Sequence, residues 1–399
     1  MTAFVNRVYT LFSKTLREKA FVRSVAVLAG GTALAQGLAV LASPLLTRLY
    51  TPFDFGLLAT YTSIFSILVV VASLRYEVAI SLPEDDGTAS NLLVLSLAIV
   101  LGMSIVGGVV VWLLRDYIAY WINAPDLQPY LWLLPLSFLG AGVYQVLNYW
   151  AVRKHAYGWI AQTKLSQGLG IVLTQAGAGL LQLGPVGLLL GDVIGRMSGS
   201  GILVTLAWRQ DRTLLKRVNV PALRWAAFRY RKFPLLSGGS ALLNSAGLQL
   251  PPLLLAAFYG PQVAGWFALG QRVIAVPMTL MGRAVAQVYL GEASRLAQEN
   301  PRALHSLFLK TARRLLLVGG VPIAILGTSS PWLFEFLFGD HWHDAGVYVQ
   351  LLAMMFIVQL VVVPLSQTLN VLERQDLQLA WDTGRLMMVV GGIVAASAL

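Results

Sequence analysis

The chain has 399 residues, 57% of them hydrophobic and only 12% charged, with a formal net charge of +11. A soluble domain carries about 25% charged residues, so this composition and a mean hydropathy of +0.70 point to a membrane protein. There is no cysteine, which excludes a disulfide framework, thiolate catalysis and cysteine-ligated metal.

Residues 1–23 carry Arg7, Lys14, Arg17, Lys19 and Arg23, and no apolar signal-peptide core lies among them. Phe4, Val5, Val8, Phe12 and Leu16 recur at helical spacing, which predicts a basic amphipathic helix on the cytoplasmic membrane surface. Eleven spans follow, near 24–47, 57–81, 91–114, 129–152, 159–183, 186–208, 234–258, 262–289, 315–337, 345–369 and 377–399. None shows the short alternating pattern of a barrel strand, so the fold expected is an all-α integral membrane bundle. Its organisation is expected to be an N-lobe of six spans over 24–208, a basic cytoplasmic linker over 209–233 and a C-lobe over 234–399.

Lys and Arg set the orientation. With the N-terminus in the cytoplasm, 22 of the 29 fall on the inside, two (Arg48 and Arg115) outside and five within spans. That bias accounts for the basic pI through topology and needs no nucleic acid. The linker Arg209–Phe233 interleaves Leu, Trp, Phe and Tyr with Arg and Lys, as a segment lying on anionic lipid does. The outer loops, near 115–128 and 338–344, are short, which leaves no room for an external catalytic domain.

The two halves repeat. Gly30-Gly31-Thr32-Ala33-Leu34 is echoed by Gly238-Gly239-Ser240-Ala241-Leu242, and Pro44-Leu45-Leu46 by Pro252-Leu253-Leu254, 208 positions on. With a slip of one residue, Tyr50-Thr51-Pro52 and Gly56 match Tyr259-Gly260-Pro261 and Gly265. Six spans separate the copies, so the repeat is parallel, giving two lobes about an axis along the membrane normal with a central cavity. The first copy has six spans and the second five, so a twelfth is expected and the chain is expected to be truncated at Leu399. Pro44 and Pro252 are expected as shared bending points.

Ionisable groups inside a bilayer are costly and face a cavity or a partner. Arg196 and Arg272 lie mid-span, while Lys164, Arg283 and Arg385 lie nearer the cytoplasmic ends, where snorkelling and a cavity role both remain open. Asp192 stands four residues before Arg196 and Asp382 three before Arg385, spacings that allow pairing on one helix face. Arg272 has no acid within a turn. Gln36, Asn148, Asn244 and Gln271 add amides. Such a lumen suits an anionic, hydroxyl-rich substrate: guanidinium groups take phosphate in a two-pronged grip and amides take sugar hydroxyls. The alternative is that the amides only bond helix to helix.

Other signals are weaker. The Gly-rich stretch 168–179 reads as a packing face, since no Walker sequence follows it. Asp340, His341, His343 and Asp344 flank Trp342, but nothing completes a metal-ligand set there, and Trp342 reads as a marker of the membrane interface.

Pro44–Gly56 (PLLTRLYTPFDFG), followed by Leu74–Asp86 (LRYEVAISLPEDD), resembles the Wzx-type polysaccharide and O-antigen repeat-unit flippases of the multidrug/oligosaccharidyl-lipid/polysaccharide exporter superfamily. The likeness is most specific at Thr47-Arg48-Leu49-Tyr50, Pro52, Asp54-Phe55-Gly56 and Arg75-Tyr76-Glu77. It implies a non-enzymatic transporter in the bacterial inner membrane. Its substrate would be an undecaprenyl-diphosphate-linked oligosaccharide carried from the cytoplasmic to the periplasmic leaflet for polysaccharide or lipopolysaccharide synthesis. The expected partners are that lipid-linked glycan, membrane lipids, and a polymerase and glycosyltransferases of the same pathway. Arg196 and Arg272 are then expected to hold the diphosphate, with Lys164, Arg283 and Arg385 guiding it and Arg48 near the periplasmic mouth. No cofactor is expected beyond coupling to Na+ or H+, through Asp192 and Asp382. The alternatives are a cation-coupled drug antiporter of the same superfamily, against which the basic lumen counts, and a membrane polymerase or ligase, against which the short outer loops count.

Overall fold

The computed structural model describes residues 30–215, 218–372 and 374–397, and the expected amphipathic segment 1–23 lies outside the described residues. Among those described, every regular element is helical. The first, α1 (Gly30–Leu49), is interrupted at Ala42, and Pro44 opens its second part from the first turn, where its missing N–H costs nothing. Next, α2 (Pro52–Leu68) begins with a complete capping box. The Thr51 hydroxyl accepts from Asp54 N–H at 3.3 Å, and the Asp54 carboxylate accepts from Thr51 N–H at 2.9 Å.

The expected unbroken span over 57–81 is not formed. A short 3-10 turn, Val69–Val71, follows α2, then Leu74 and Arg75 take left-handed φ of 51° and 66°, and a one-turn helix covers Tyr76–Ala79. Two successive left-handed residues without glycine are costly, and no glycine announces the break, so the hydropathy of the stretch conceals it.

The chain continues with α3 (Asp86–Trp121), α4 (Leu133–Arg153), α5 (Tyr157–Leu180), α6 (Pro185–Leu215) and α7 (Val220–Arg229). Then come α8 (Gly238–Tyr259), α9 (Pro261–Glu299), α10 (Pro301–Leu315), α11 (Val321–Phe338), α12 (His343–Leu365) and α13 (Gln375–Ser397). The expected outer loop near 115–128 is helical as far as Trp121, and the linker contains α7, capped by Asn219.

Seven segments among the described residues are long and apolar enough to cross a membrane. The expected spans outside that set are α4, α5, α9 and α13. All four carry polar residues: Gln145 and Asn148, Lys164 and Gln167, Gln271 and Arg272, and Asp382 and Arg385, respectively. Conversely, α3 turns Leu101, Ile105, Val109 and Trp112 outward, each more than half exposed, the face that hydrocarbon covers. The protein is an integral, multi-pass membrane protein.

Helix packing rests on small residues. Gly187, Gly191, Gly195 and Gly199 recur every fourth position on α6, and side chains of α5 (Ala178, Gln175, Ile171 and Gln167) fill the space where their Cβ atoms would stand. Gly31 meets Ala161, Gly168 meets Ala35 and Gly179 meets Leu49, so α5 also lies close against α1. The stretch 168–179 is thus a packing face.

One end of the molecule is basic. There Arg153 and Lys154 grip Asp86 at 3.0 and 2.7 Å, and the Tyr76 hydroxyl donates to the carbonyl of Ala227 in α7 at 2.9 Å. At the far end the two copies of the repeat touch each other. A methyl built on Gly56 would strike the carbonyl of Pro261, and one on Gly265 would strike the carbonyl of Pro52. The motif and its echo therefore meet reciprocally where α2 crosses α9. Trp342 closes this contact: its indole N–H donates to the Thr47 carbonyl at 3.1 Å, its ring meets Phe55 edge-on at 5.0 Å, and it is 1% exposed. It is a buried plug between the halves, and the expectation of a lipid-facing marker is corrected. The loop length could not reveal this, because the partner strand of contacts comes from α1 and α2.

Candidate functional site

Two cavities with polar and charged groups in largely apolar walls flank α2. The first, of about 180 Å3, lies within the N-terminal half and is lined by Ala141, Tyr144, Lys164, Gln167, Ile171, Asp192 and Arg196. The glycine stripe of α6 sets its geometry, because Asp192 and Arg196 each follow a stripe glycine and so turn toward α4 and α2 beside the α5 contact. Arg196 holds Asp192 in a two-pronged pair, Nε to Oδ2 at 2.6 Å and Nη2 to Oδ1 at 2.9 Å, while its guanidinium lies 3.9 Å from the Phe65 ring centre. Lys164 Nζ sits 4.7 Å over the Tyr144 ring, with no carboxylate among the described residues within ion-pair distance.

The second cavity, of about 340 Å3, lies at the seam between the halves. Its walls are Phe55, Leu58, Ala59, Thr62 and Ser63 of α2, Gln249 and Pro252 of α8, and Ala268, Gln271 and Arg272 of α9. Arg272 is half-buried here, and no described carboxylate pairs with it. Pro252 stands inside α8, beside Pro251, where the missing N–H groups open the helix to the cavity. Gln271 also borders a third cavity of about 490 Å3 with Gln359 and Gln367, deeper in the C-terminal half.

The structure thus brings Lys164 and Arg196 together, and places Arg272 with Gln271 on the other side of α2. A single diphosphate clamp of Arg196 and Arg272 is not assembled in this conformation. Asn148 lies on α4 with a buried, unpartnered Oδ1, while Asn244 is exposed on α8. Gln36 is half-buried on α1, Arg48 is exposed toward the far end, and Arg385 is exposed on α13. The side chains of Arg283 and Asp382 lie outside the described residues.

One buried group, Glu77 of the Arg75-Tyr76-Glu77 motif, has no functional role assigned from the sequence. Glu77 is fully buried and accepts from the Ser73 hydroxyl and from Gln145 Nε2 at 2.8 Å, and Arg75 Nη1 lies 3.5 Å away. This network holds the left-handed turn after α2. Its sequence signal is a Glu at the end of an apolar run, inside the Arg75-Tyr76-Glu77 motif. Glu77→Ala leaves Gln145 and Arg75 facing an empty site and is expected to cost about 3 kcal/mol. Glu77→Gln is expected to cost roughly 1 kcal/mol, because an amide keeps the oxygen that Gln145 needs. Thermal unfolding of the detergent-solubilised variants measures both.

The model of the family described as polysaccharide biosynthesis protein matches residues 45–347. The chain belongs to this family. Among curated relatives, it is 24% identical over 325 residues to the succinoglycan biosynthesis transport protein ExoT of Rhizobium meliloti, covering 80% of this chain and 62% of that one. It is 23% identical over 389 residues to the lipopolysaccharide biosynthesis protein WzxC of Escherichia coli, covering 95% and 75%. A match to the teichuronic acid biosynthesis protein TuaB of Bacillus subtilis, 25% identical, covers 39% of this chain and 32% of that one. The chain therefore spans less than two thirds of the ExoT and TuaB relatives. Among solved structures, an inward-facing multidrug resistance MATE family transporter of the MOP superfamily superposes with a TM-score of 0.65 at 12% identity, over 91% of this chain and 88% of that one. This polysaccharide biosynthesis family member therefore has the MATE-type helical fold.

Proposed function

We propose that the protein is a transporter, not an enzyme. It moves an undecaprenyl-diphosphate-linked oligosaccharide from the cytoplasmic to the periplasmic leaflet by alternating access of two lobes, residues 24–208 and 234–399, joined by the 209–233 linker. The observation that carries this reading is Arg272, a mid-span cation without a described carboxylate partner, facing a seam cavity lined with Gln249, Gln271, Thr62 and Ser63. A guanidinium is suited to a diphosphate and the amides and hydroxyls to sugar. The relatives named for polysaccharide biosynthesis and transport support the substrate class. The positive-inside bias puts the basic end in the cytoplasm and the far end in the periplasm, with the protein in the bacterial inner membrane. The lipid-linked glycan is the direct partner, and the glycosyltransferases and polymerase of the pathway are functional neighbours. Pro44 and Pro252 serve as the bending points. The Gly56–Gly265 crossing closes the far end, which fits a state awaiting substrate from the cytoplasm.

Coupling to Na+ or H+ supplies direction. Asp192 is the proposed coupling group in the first lobe, with its ion-bound form releasing Arg196 to substrate, and Asp382 its counterpart in the second. Proteoliposomes loaded with a fluorescent polyprenyl-diphosphate oligosaccharide, read by accessibility of the glycan to an external lectin, test this. Wild type is expected to accelerate flipping severalfold under an imposed gradient, and Asp192→Asn to flip at one rate with or without it. An Asp192→Asn protein that keeps its full gradient response removes Asp192 from the coupling role.

A further inference from the structure

At the far end a third kind of cavity, of about 520 Å3, opens above the crossing of the repeat motifs. Both halves build it: Thr51, Pro52 and Phe53 from the turn into α2, Gln262 and Trp266 from α9, and Asp340, His341, His343 and Asp344 from the turn between α11 and α12. That volume lies within the range of about 300–1,000 Å3 usual for small-molecule sites.

The lining is chemically opposite to the interior cavities. It contains Asp340 and Asp344 and no Lys or Arg, so it repels a diphosphate. Its aromatic wall is fixed in advance. The Trp266 indole N–H donates to the His341 carbonyl at 3.0 Å, and the ring stacks on Tyr348 with centroids 6.4 Å apart and an angle of 28°. The His343 ring is likewise held, with Nδ1 at 3.0 Å from Glu335 Oε2. Among the described residues no three His, Asp or Glu side chains converge as a metal would require. What lines the open space is a held indole, a phenyl ring, two carboxylates, two imidazoles, an amide and the Thr51 hydroxyl.

We infer that this cavity is a saccharide-binding subsite, which takes a neutral sugar ring of the transported glycan as it reaches the far end. The apolar C–H face of a pyranose lies against the indole of Trp266. Asp340 and Asp344 accept from its hydroxyls, and the Gln262 amide both donates and accepts. Because the carboxylates exclude the diphosphate, the sugar and the charged head part company along the molecule: the cations hold the head inside while the glycan is received at the mouth. The site rests on the proposed transport of a lipid-linked glycan, and binding of soluble sugar tests it separately.

Full-length protein in nanodiscs is titrated with defined neutral tetrasaccharides built of glucose or galactose, and binding is read by saturation-transfer NMR. Saturable binding by wild type is expected for at least one of them. Trp266→Ala is expected to weaken it by about tenfold or more, as loss of an aromatic anchor does. Asp344→Asn changes an exposed side chain that keeps its shape, and is expected to weaken binding severalfold without lowering the unfolding temperature. No binding by wild type, retention of full affinity in both variants, or displacement of the sugar by Ca2+ each overturns the subsite. Flipping of the lipid-linked glycan is measured on the same preparation. A wild type that flips but binds no tetrasaccharide loses only the subsite, whereas one that binds tetrasaccharide but flips nothing loses the proposed transport.

Discussion

Alanine at Gly56 or at Gly265 prevents the two halves from closing at the far end. At each position the added methyl occupies the place of a backbone carbonyl, that of Pro261 or Pro52, and a carbonyl in the first turn of a helix cannot rotate away like a side chain. The helices must separate or remain apart. Overpacking of a close contact costs about 1–3 kcal/mol, which shifts a two-state equilibrium roughly 5- to 150-fold. Separation also removes the packing of Trp342 on Phe55 and its bond to Thr47. The chain has no cysteine, so a single introduced cysteine reports without background. With Thr62→Cys in the seam cavity, labelling by an impermeant maleimide from the far side is expected to rise about tenfold in either alanine variant. Because the contact is reciprocal, the double variant is expected to add little to either single one. Labelling unchanged in both singles contradicts a gate built on this crossing.

Removing the guanidinium of Arg272 is expected to abolish most of the proposed transport. No described acid neutralises this group, so an incoming phosphate meets its full charge in a low-dielectric cavity. A charge-assisted hydrogen bond contributes about 1.5–3 kcal/mol, and the lower figure for each of the two made by one guanidinium, about 3 kcal/mol together, sets the expected loss in Arg272→Ala at about a hundredfold or more. Arg272→Lys keeps the charge without the planar fork and is expected to recover part of the rate. Arg196→Ala is expected to be milder, because Asp192 already offsets that charge at 2.6 Å. Initial flipping rates at saturating protein density, compared across the three variants, give the order: wild type, Arg196→Ala, Arg272→Lys, Arg272→Ala.

Much of the fold is legible in the sequence. Long apolar runs without alternation announced helices, and the echo of Tyr50–Gly56 in Tyr259–Gly265 marked the segments that prove to touch. The mid-span positions of Arg196 and Arg272 draw attention to them, and the i, i+4 spacing matches the Asp192–Arg196 pair. Which cations share a cavity was not readable, since that depends on the rotation of each helix about its axis. The glycine stripe of α6 against α5 sets that rotation and turns Arg196 toward Lys164, leaving Arg272 across α2. The break at Leu74 and Arg75 was invisible for another reason. Neither residue is a turn former, and the left-handed backbone is held by a buried carboxylate whose partners, Ser73 and Gln145, are distant or inconspicuous in sequence. Trp342 was misread because its partners Thr47 and Phe55 lie in the other half of the chain.

The central claim is that the interior guanidinium of Arg272, which no described carboxylate pairs, selects a diphosphate-headed glycolipid. It is tested by offering wild-type proteoliposomes two substrates that differ only at the head: a polyprenyl-diphosphate oligosaccharide and the same glycan joined to the polyprenyl chain through a neutral glycosidic bond. The diphosphate form is expected to flip roughly a hundredfold faster than the neutral form, with the advantage lost in Arg272→Ala. Equal rates for the two lipids, or an undiminished preference in Arg272→Ala, would contradict the claim.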